Sequence, residues 1–142
     1  MARILVVDDS ESVRKAIPRL LRTYGHEVHC AISVAEARRT IAGEQFDLVI
    51  ADYNMPEENG VVLAGWIGTK THGQLPVIIY SSDGKSKIAI NPEYGRLEQS
   101  GVIVSYVSKE HTEALPDAVD AALKRPNIPP GIIDHLKEGQ EL

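Results

Sequence analysis

Basic residues are outnumbered in this chain, thiols are reduced to one, and no long apolar stretch occurs. The lone cysteine, Cys30, cannot form an internal disulfide, so a reducing, cytoplasmic setting is expected. The apolar run at residues 61–68 falls far short of the ~20 residues a spanning helix needs, which argues against a membrane protein. The short run at 4–7 ends in two aspartates and therefore cannot be the apolar region of a signal peptide. Fifteen lysines and arginines face 20 aspartates and glutamates, a formal charge of −5 that repels phosphate backbones, so nucleic acid is not expected as a partner. No glycine-rich phosphate loop follows Val7, which disfavours a nucleotide-binding enzyme.

What remains is one ordinary globular core. At 142 residues, 43% hydrophobic and 25% charged, the chain has the size and composition of a single domain. Four runs rich in Val and Ile, at 4–7, 47–51, 77–80 and 102–107, read as central parallel strands covered on both faces. A fifth, 27–32, sets Val28, Cys30 and Ile32 against Glu27, His29 and Ala31, the pattern of an edge strand with one wetter face.

Helical patterns alternate with these strands. From Ser10, the positions Val13, Ile17, Leu20, Leu21 and Tyr24 recur at helical spacing, with Gly25 as a stop and Pro18 predicting a kink. Ser33 and Glu36 form a capping box for a helix reaching Ala42. A weaker helix is expected over 61–69, where Gly65 and Gly68 each cost about 1 kcal/mol relative to alanine. Leu115, Val119, Ala122 and Leu123 stripe the last helix, and Pro126 ends it. The domain is expected over 1–125, with 126–142 as a linker and a short tail carrying an apolar patch at 132–136. Repeated strand–helix units predict an α/β fold with a parallel sheet and helices on both faces.

In such a sheet, ligands bind beyond the carboxyl ends of the strands. Polar residues end the central runs: Asp8 and Asp9 after the first, Asp52 after the next, then Ser81 and Ser82, and finally Lys109. Parallel strands bring these ends to one edge. Three carboxylates held close repel one another and call for a cation or a raised pKa. An all-oxygen set, with no cysteine–histidine spacing anywhere, selects a hard ion such as Mg²⁺. A phosphoryl group at Asp52 would meet Mg²⁺, the Lys109 ammonium and the Ser81 hydroxyl, with Asp52 as nucleophile.

These segments, Ile4-Leu5-Val6-Val7-Asp8-Asp9, Val49-Ile50-Ala51-Asp52-Tyr53-Asn54-Met55-Pro56, Gly60, Leu75-Pro76-Val77-Ile78-Ile79-Tyr80-Ser81 and Tyr106-Val107-Ser108-Lys109, resemble the receiver domain of two-component response regulators. The resemblance implies a flavodoxin-like, doubly wound five-stranded parallel sheet in the order 2-1-3-4-5. It implies phosphotransfer to Asp52 from the phosphohistidine of a sensor kinase or phosphotransfer protein, with output through a downstream protein target. Asp8, Asp9, Asp52 and the Asn54 carbonyl match the Mg²⁺ ligands, Ser81 the switch hydroxyl, Tyr106 the switch aromatic and Lys109 the lysine of the motif. A catalyst acting only on its own phosphorylation is implied, as a stand-alone module, monomeric or weakly dimeric, since 17 residues after Arg125 are too few for a winged-helix output domain.

The chain departs from the family pattern in three places. Glu110 follows Lys109 where proline is usual, so a trans bond and a rebuilt turn are expected. The stretch from Ser81 to Lys109 is long, with residues 91–95 interrupting the fourth helix, and Ser82 replaces a smaller residue. The alternative these changes keep open is a degenerate receiver that binds partners without phosphorylation. A haloacid-dehalogenase type of enzyme is disfavoured, because Asn54 stands where its second aspartate would be.

Overall fold

The computed structural model describes residues 2–126; the expected linker and tail beyond Pro126 lie outside the described residues. Five strands, β1 (Arg3–Val7), β2 (Glu27–Ala31), β3 (Leu48–Ala51), β4 (Val77–Ser81) and β5 (Ile103–Ser108), form one parallel sheet in the order β2-β1-β3-β4-β5. Six helices accompany them: α1 (Glu11–Arg22), α2 (Val34–Gly43), α3 (Gly60–Thr71), α4 (Lys85–Ile88), α5 (Pro92–Gln99) and α6 (Leu115–Leu123). A 3₁₀ segment, Lys109–Ala114, joins β5 to α6.

Period-two geometry divides the apolar strand residues between two cores. Ile4, Val6, Ile50, Ile78 and Tyr80 pack with Ile17 and Leu21 of α1 and Leu115 and Val119 of α6. Their neighbours Leu5, Val7, Val49, Ala51 and Ile79 pack on the other side with α2, α3, α4 and α5. Both faces are thus buried, which is why the central strands are continuously apolar.

Local chemistry fixes the helix ends. The Glu36 amide donates to Ser33 Oγ at 3.1 Å, as the capping box predicts. Asn59 Oδ1 accepts from the Val61 and Val62 amides at 2.9 and 3.0 Å and starts α3 one residue earlier than its pattern suggests. The fourth helix is divided, but before the expected place: α4 is one short turn ending at Ile88, and residues 92–95, expected to interrupt the helix, instead open α5, with Asn91 as its cap and the Glu93 amide on Asn91 Oδ1 at 3.0 Å.

Three further expectations are corrected. Tyr24 is 60% exposed, because α1 ends at Arg22 and Tyr24 falls in the turn completed by Gly25 at φ +87°. In β2, Val28 and Ala31 are buried on opposite faces, while Cys30 is exposed and Ile32, beyond the strand, is 51% exposed. Strand parity sets the face, but the reach of the covering helix sets which residue is buried. The third concerns α3, which runs to Thr71, longer than its two glycines suggest. A Cβ at Gly68 would lie 3.0 Å from Val102 Cγ2, so close packing there offsets the low helix propensity.

Pro18 lies inside α1, which continues through it, and its ring is buried. Proline has no amide proton for the Arg14 carbonyl four residues back. That oxygen instead has Cys30 Sγ at 3.7 Å, a weak donor from the neighbouring strand.

Gly60 is required by space. A Cβ there would sit 2.2 Å from the Asp52 carbonyl oxygen, a backbone atom that cannot swing away. Gly60→Ala is expected to lower stability by about 1–3 kcal/mol, whereas Gly43→Ala, with nothing within 4 Å of its added Cβ, should be neutral or slightly stabilising. Urea titration of both variants checks this; equal midpoints would refute the close approach.

Candidate functional site

The sheet ladder assembles the site. The Asp8 amide donates to the Ala31 carbonyl at 3.1 Å and the Asp52 amide to the Val7 carbonyl at 3.0 Å, so both aspartates continue their strands side by side. Ser81 pairs in register with Ser108, which places Lys109 one residue beyond the same edge. Asp8, Asp52 and Ser81 are all buried, at 1%, 7% and 0% exposure, and Asp9 is exposed beside them.

Lys109 binds the carboxylates together. Its Nζ lies 2.9 Å from Asp8 Oδ2 and 3.1 Å from Asp52 Oδ2, and its charge sits 5.8 Å from the centre of the Tyr80 ring. The remaining oxygens take backbone donors: the Ser10 amide on Asp8 Oδ1 at 2.8 Å and the Asn54 amide on Asp52 Oδ1 at 3.3 Å. Asp8 Oδ2 is buried with a charge partner but no aligned hydrogen-bond donor.

Burial, and after it the charge of Asp8, raise the Asp52 pKa, while Lys109 and the Ser81 hydroxyl pull it back. Burial works against the Lys109 ammonium too, yet Asp8 and Asp52 together outweigh it and hold its pKa above the usual lysine value. The pocket is therefore over-supplied with negative charge. Asp8, Asp9 and Asp52 each offer an oxygen within 4.8 Å of the others, the only such grouping of three or more metal-ligating side chains among the described residues. A buried acceptor without a donor and an all-oxygen donor set both suit a small hard cation.

The surrounding loops are tied by contacts that no sequence motif marks. Asp83 accepts from the Asn54 side-chain amide through one carboxylate oxygen and from Lys87 Nζ at 3.1 Å through the other. Its amide donates to Ser81 Oγ at 3.2 Å, and its carbonyl accepts from the Tyr106 hydroxyl. Tyr106 is half-buried and leans on the loop after β4. Its place two residues beyond Ser81 was the only sequence signal for Asp83. Among the described residues no peptide bond is cis, so Lys109-Glu110 is trans as expected. Ser108 Oγ accepts the Glu110 amide at 3.1 Å, and Thr112 reaches Tyr80 Oη at 2.6 Å, rebuilding the turn without proline. His26 and His29 join no such ligand grouping, and His29 lies 2.6 Å from Glu27.

A five-stranded parallel sheet of this order, with an acidic pocket and a lysine at its carboxyl edge, defines a CheY-like α/β module. The sequence matches the response regulator receiver domain family over residues 4–119, and the chain belongs to that family. It is 33% identical over 124 residues to the transcriptional regulatory protein GlrR of Escherichia coli (strain K12), covering 87% of this chain and 27% of that protein. With the response regulator protein FleR of Pseudomonas aeruginosa it shares 37% identity over 83 residues, 58% of this chain and 17% of that one. The chain thus spans only about a quarter or less of these relatives. Among solved structures, TrrA of Thermotoga maritima, in complex with Mg²⁺-BeF, superposes with a TM-score of 0.74 at 28% identity, covering 86% of this chain and 99% of that one. A receiver domain protein from Clostridium thermocellum gives 0.75 at 30% identity, covering 88% and 96%. No helix among the described residues is long and apolar enough to cross a membrane.

A carboxylate whose folded pKa is raised destabilises the fold once ionised; the penalty is absent below the ordinary carboxylate pKa and complete above the raised one. Without divalent metal, Asp52→Asn is therefore expected to melt a few degrees above wild type at neutral pH, since about 1 kcal/mol moves Tm by ~4 °C at this size. The gap should close as pH falls into the ordinary carboxylate range. Calorimetry across pH checks it, and a variant melting below wild type at neutral pH would reverse the assigned sign.

Proposed function

We propose that this chain is a phosphoacceptor of a two-component relay, taking a phosphoryl group on Asp52 from the phosphohistidine of a sensor kinase or phosphotransfer protein. The observation that supports it most is the buried Asp8–Lys109–Asp52 bridge at 2.9 and 3.1 Å with Asp9 beside it. In the transfer, an Asp52 oxygen forms the P–O bond as the P–N bond to the donor imidazole breaks, and the imidazole leaves with the electron pair. Mg²⁺, held by the carboxylates of Asp8, Asp9 and Asp52 and by the Asn54 carbonyl, would supply charge to the phosphoryl oxygens when bound.

The chain's own residues do the rest. Lys109 already touches the acceptor carboxylate, so its ammonium is in place to neutralise charge arriving on phosphorus. The Ser81 hydroxyl, buried next to Asp52, donates to a phosphoryl oxygen. Turning there takes Ser81 Oγ from the Asp83 amide, and the loop that holds Tyr106 shifts with it. The β4–β5 face, with Ser81 and Tyr106 as switch residues, then presents a different surface to a downstream protein. The degenerate alternative has no support, since all five polar positions are retained and at least Asp8, Asp52 and Lys109 are in direct contact.

Incubation with Mg²⁺ and acetyl phosphate should add one phosphoryl mass, lost in Asp52→Ala, and Lys109→Ala should slow the addition by roughly 10²-fold. Intact-mass spectrometry reads both. Modification that persists in Asp52→Ala, or wild type that stays unmodified, would overturn the assignment.

A further inference from the structure

Away from the acidic pocket, the largest groove among those described, about 940 Å³, runs between α1 and the edge strand β2. Arg14, Lys15, Arg19 and Arg22 line it together with Pro18 and Cys30, and no aspartate or glutamate does. Such a gathering of cations is unexpected in a chain of charge −5. Arg14 and Arg22 spend one donor each on the Asp8 and Val28 carbonyls, at 3.0 and 2.9 Å, out of the five each guanidinium carries. Lys15 pairs with Glu11 at 2.9 Å, but both are more than 70% exposed, so that pair is readily exchanged.

A second observation comes from the backbone. Pro18 withholds the amide that would ordinarily bond the Arg14 carbonyl at this same groove, and the Cys30 thiol approaches that oxygen at 3.7 Å. A carbonyl so poorly satisfied accepts an N–H from whatever lies alongside. Glu27 and Ala31 direct backbone groups to β1, so the intervening Val28 and Cys30 turn theirs outward, as the Arg22 contact with the Val28 carbonyl attests.

We propose that the α1–β2 groove docks an extended acidic segment of a partner protein, its carboxylates on Lys15, Arg19 and the free donors of Arg14 and Arg22, and one of its backbone amides on the Arg14 carbonyl. A phosphodiester backbone has no N–H to give that carbonyl. A long polyanion or anionic membrane also meets the net negative charge of the whole molecule, whereas a short peptide in the groove meets mainly the local cations. The inference is independent of phosphorylation at Asp52.

The test is fluorescence anisotropy of the full chain with a labelled octapeptide of alternating glutamate and valine, which is about 26 Å long when extended. Saturable binding is expected, weakening as salt rises from about 50 to about 200 mM. Lys15→Ala/Arg19→Ala should weaken it roughly tenfold. Pro18→Ala returns an amide to the Arg14 carbonyl and should weaken it several-fold while raising Tm, a pairing that loss of folding cannot produce. Asp52→Asn should leave it unchanged. Absence of saturable binding, equal binding of a glutamine–valine peptide, unaltered affinity in the double variant, or tighter binding of phosphatidylserine vesicles or duplex DNA would each overturn the proposal.

Discussion

Two buried carboxylates share one ammonium in this molecule, and the carboxyl edge of the sheet is organised around that imbalance. Asp8 and Asp52 are forced together because β1 and β3 are adjacent parallel strands whose ladder continues one residue past each apolar run. Separating them would break the sheet. Lys109 reaches both from the end of β5, two strands away from β3, so the bridge ties together strands that do not neighbour one another. One cation cannot neutralise two buried anions with a third exposed nearby, and the Asp52 pKa is raised by its burial first and by the neighbouring charge of Asp8 second. A site in this condition is receptive to a further cation and, once that is bound, to an anionic group.

The rest of the fold keeps that edge rigid. The acceptor loop passes so close to the start of α3 that position 60 has no room for a side chain. The turn after Lys109 is secured by Ser108 on the Glu110 amide and by Thr112 on Tyr80, whose ring the lysine also faces. Trans geometry at Glu110 is therefore compatible with the same lysine position, because hydrogen bonds hold the turn in the absence of a proline ring. The change of residue alters the turn and leaves the bridge intact.

The strand ends were readable because each apolar run stops abruptly at a polar residue, and parallel topology then puts Asp8, Asp52, Ser81 and Lys109 on one edge. That the fourth helix is divided was legible too, but residues 92–95 begin its second half instead of breaking it, because Asn91 caps and Pro92 suits a first helical turn. Burial in β2 was not, since alternation along an edge strand says nothing of how fully α1 covers it; Val28 packs beneath that helix with Ile17 and Leu21, while Cys30 meets it only at the Arg14 carbonyl and stays exposed. Tyr24 kept helical spacing past the point where the helix had ended. The role of Asp83 was hidden for another reason: its partners Asn54, Lys87 and Tyr106 lie on three different segments, and only the folded loops bring them to one carboxylate and one carbonyl. The space behind Gly60 was invisible in the same way, being defined by a carbonyl eight residues earlier in sequence.

Two clusters of like charge stand out: Asp8, Asp9 and Asp52 at the carboxyl edge of the sheet, and Arg14, Lys15, Arg19 and Arg22 along the groove beside α1. Arg14 belongs to both regions. Its guanidinium donates to the Asp8 carbonyl at the pocket, while its own carbonyl, released by Pro18, faces Cys30 at the groove. A proline in a helix interior forfeits a hydrogen bond and crowds the preceding turn, a loss of ~3 kcal/mol in an isolated helix. Here the ring is buried and the strand supplies a thiol, so the loss is reduced but the carbonyl has a weak donor in place of an amide. A fully satisfied helix would present the groove with side-chain cations alone. The interrupted one presents cations and a backbone acceptor side by side, and that combination is complementary to a peptide chain more than to any other polyanion.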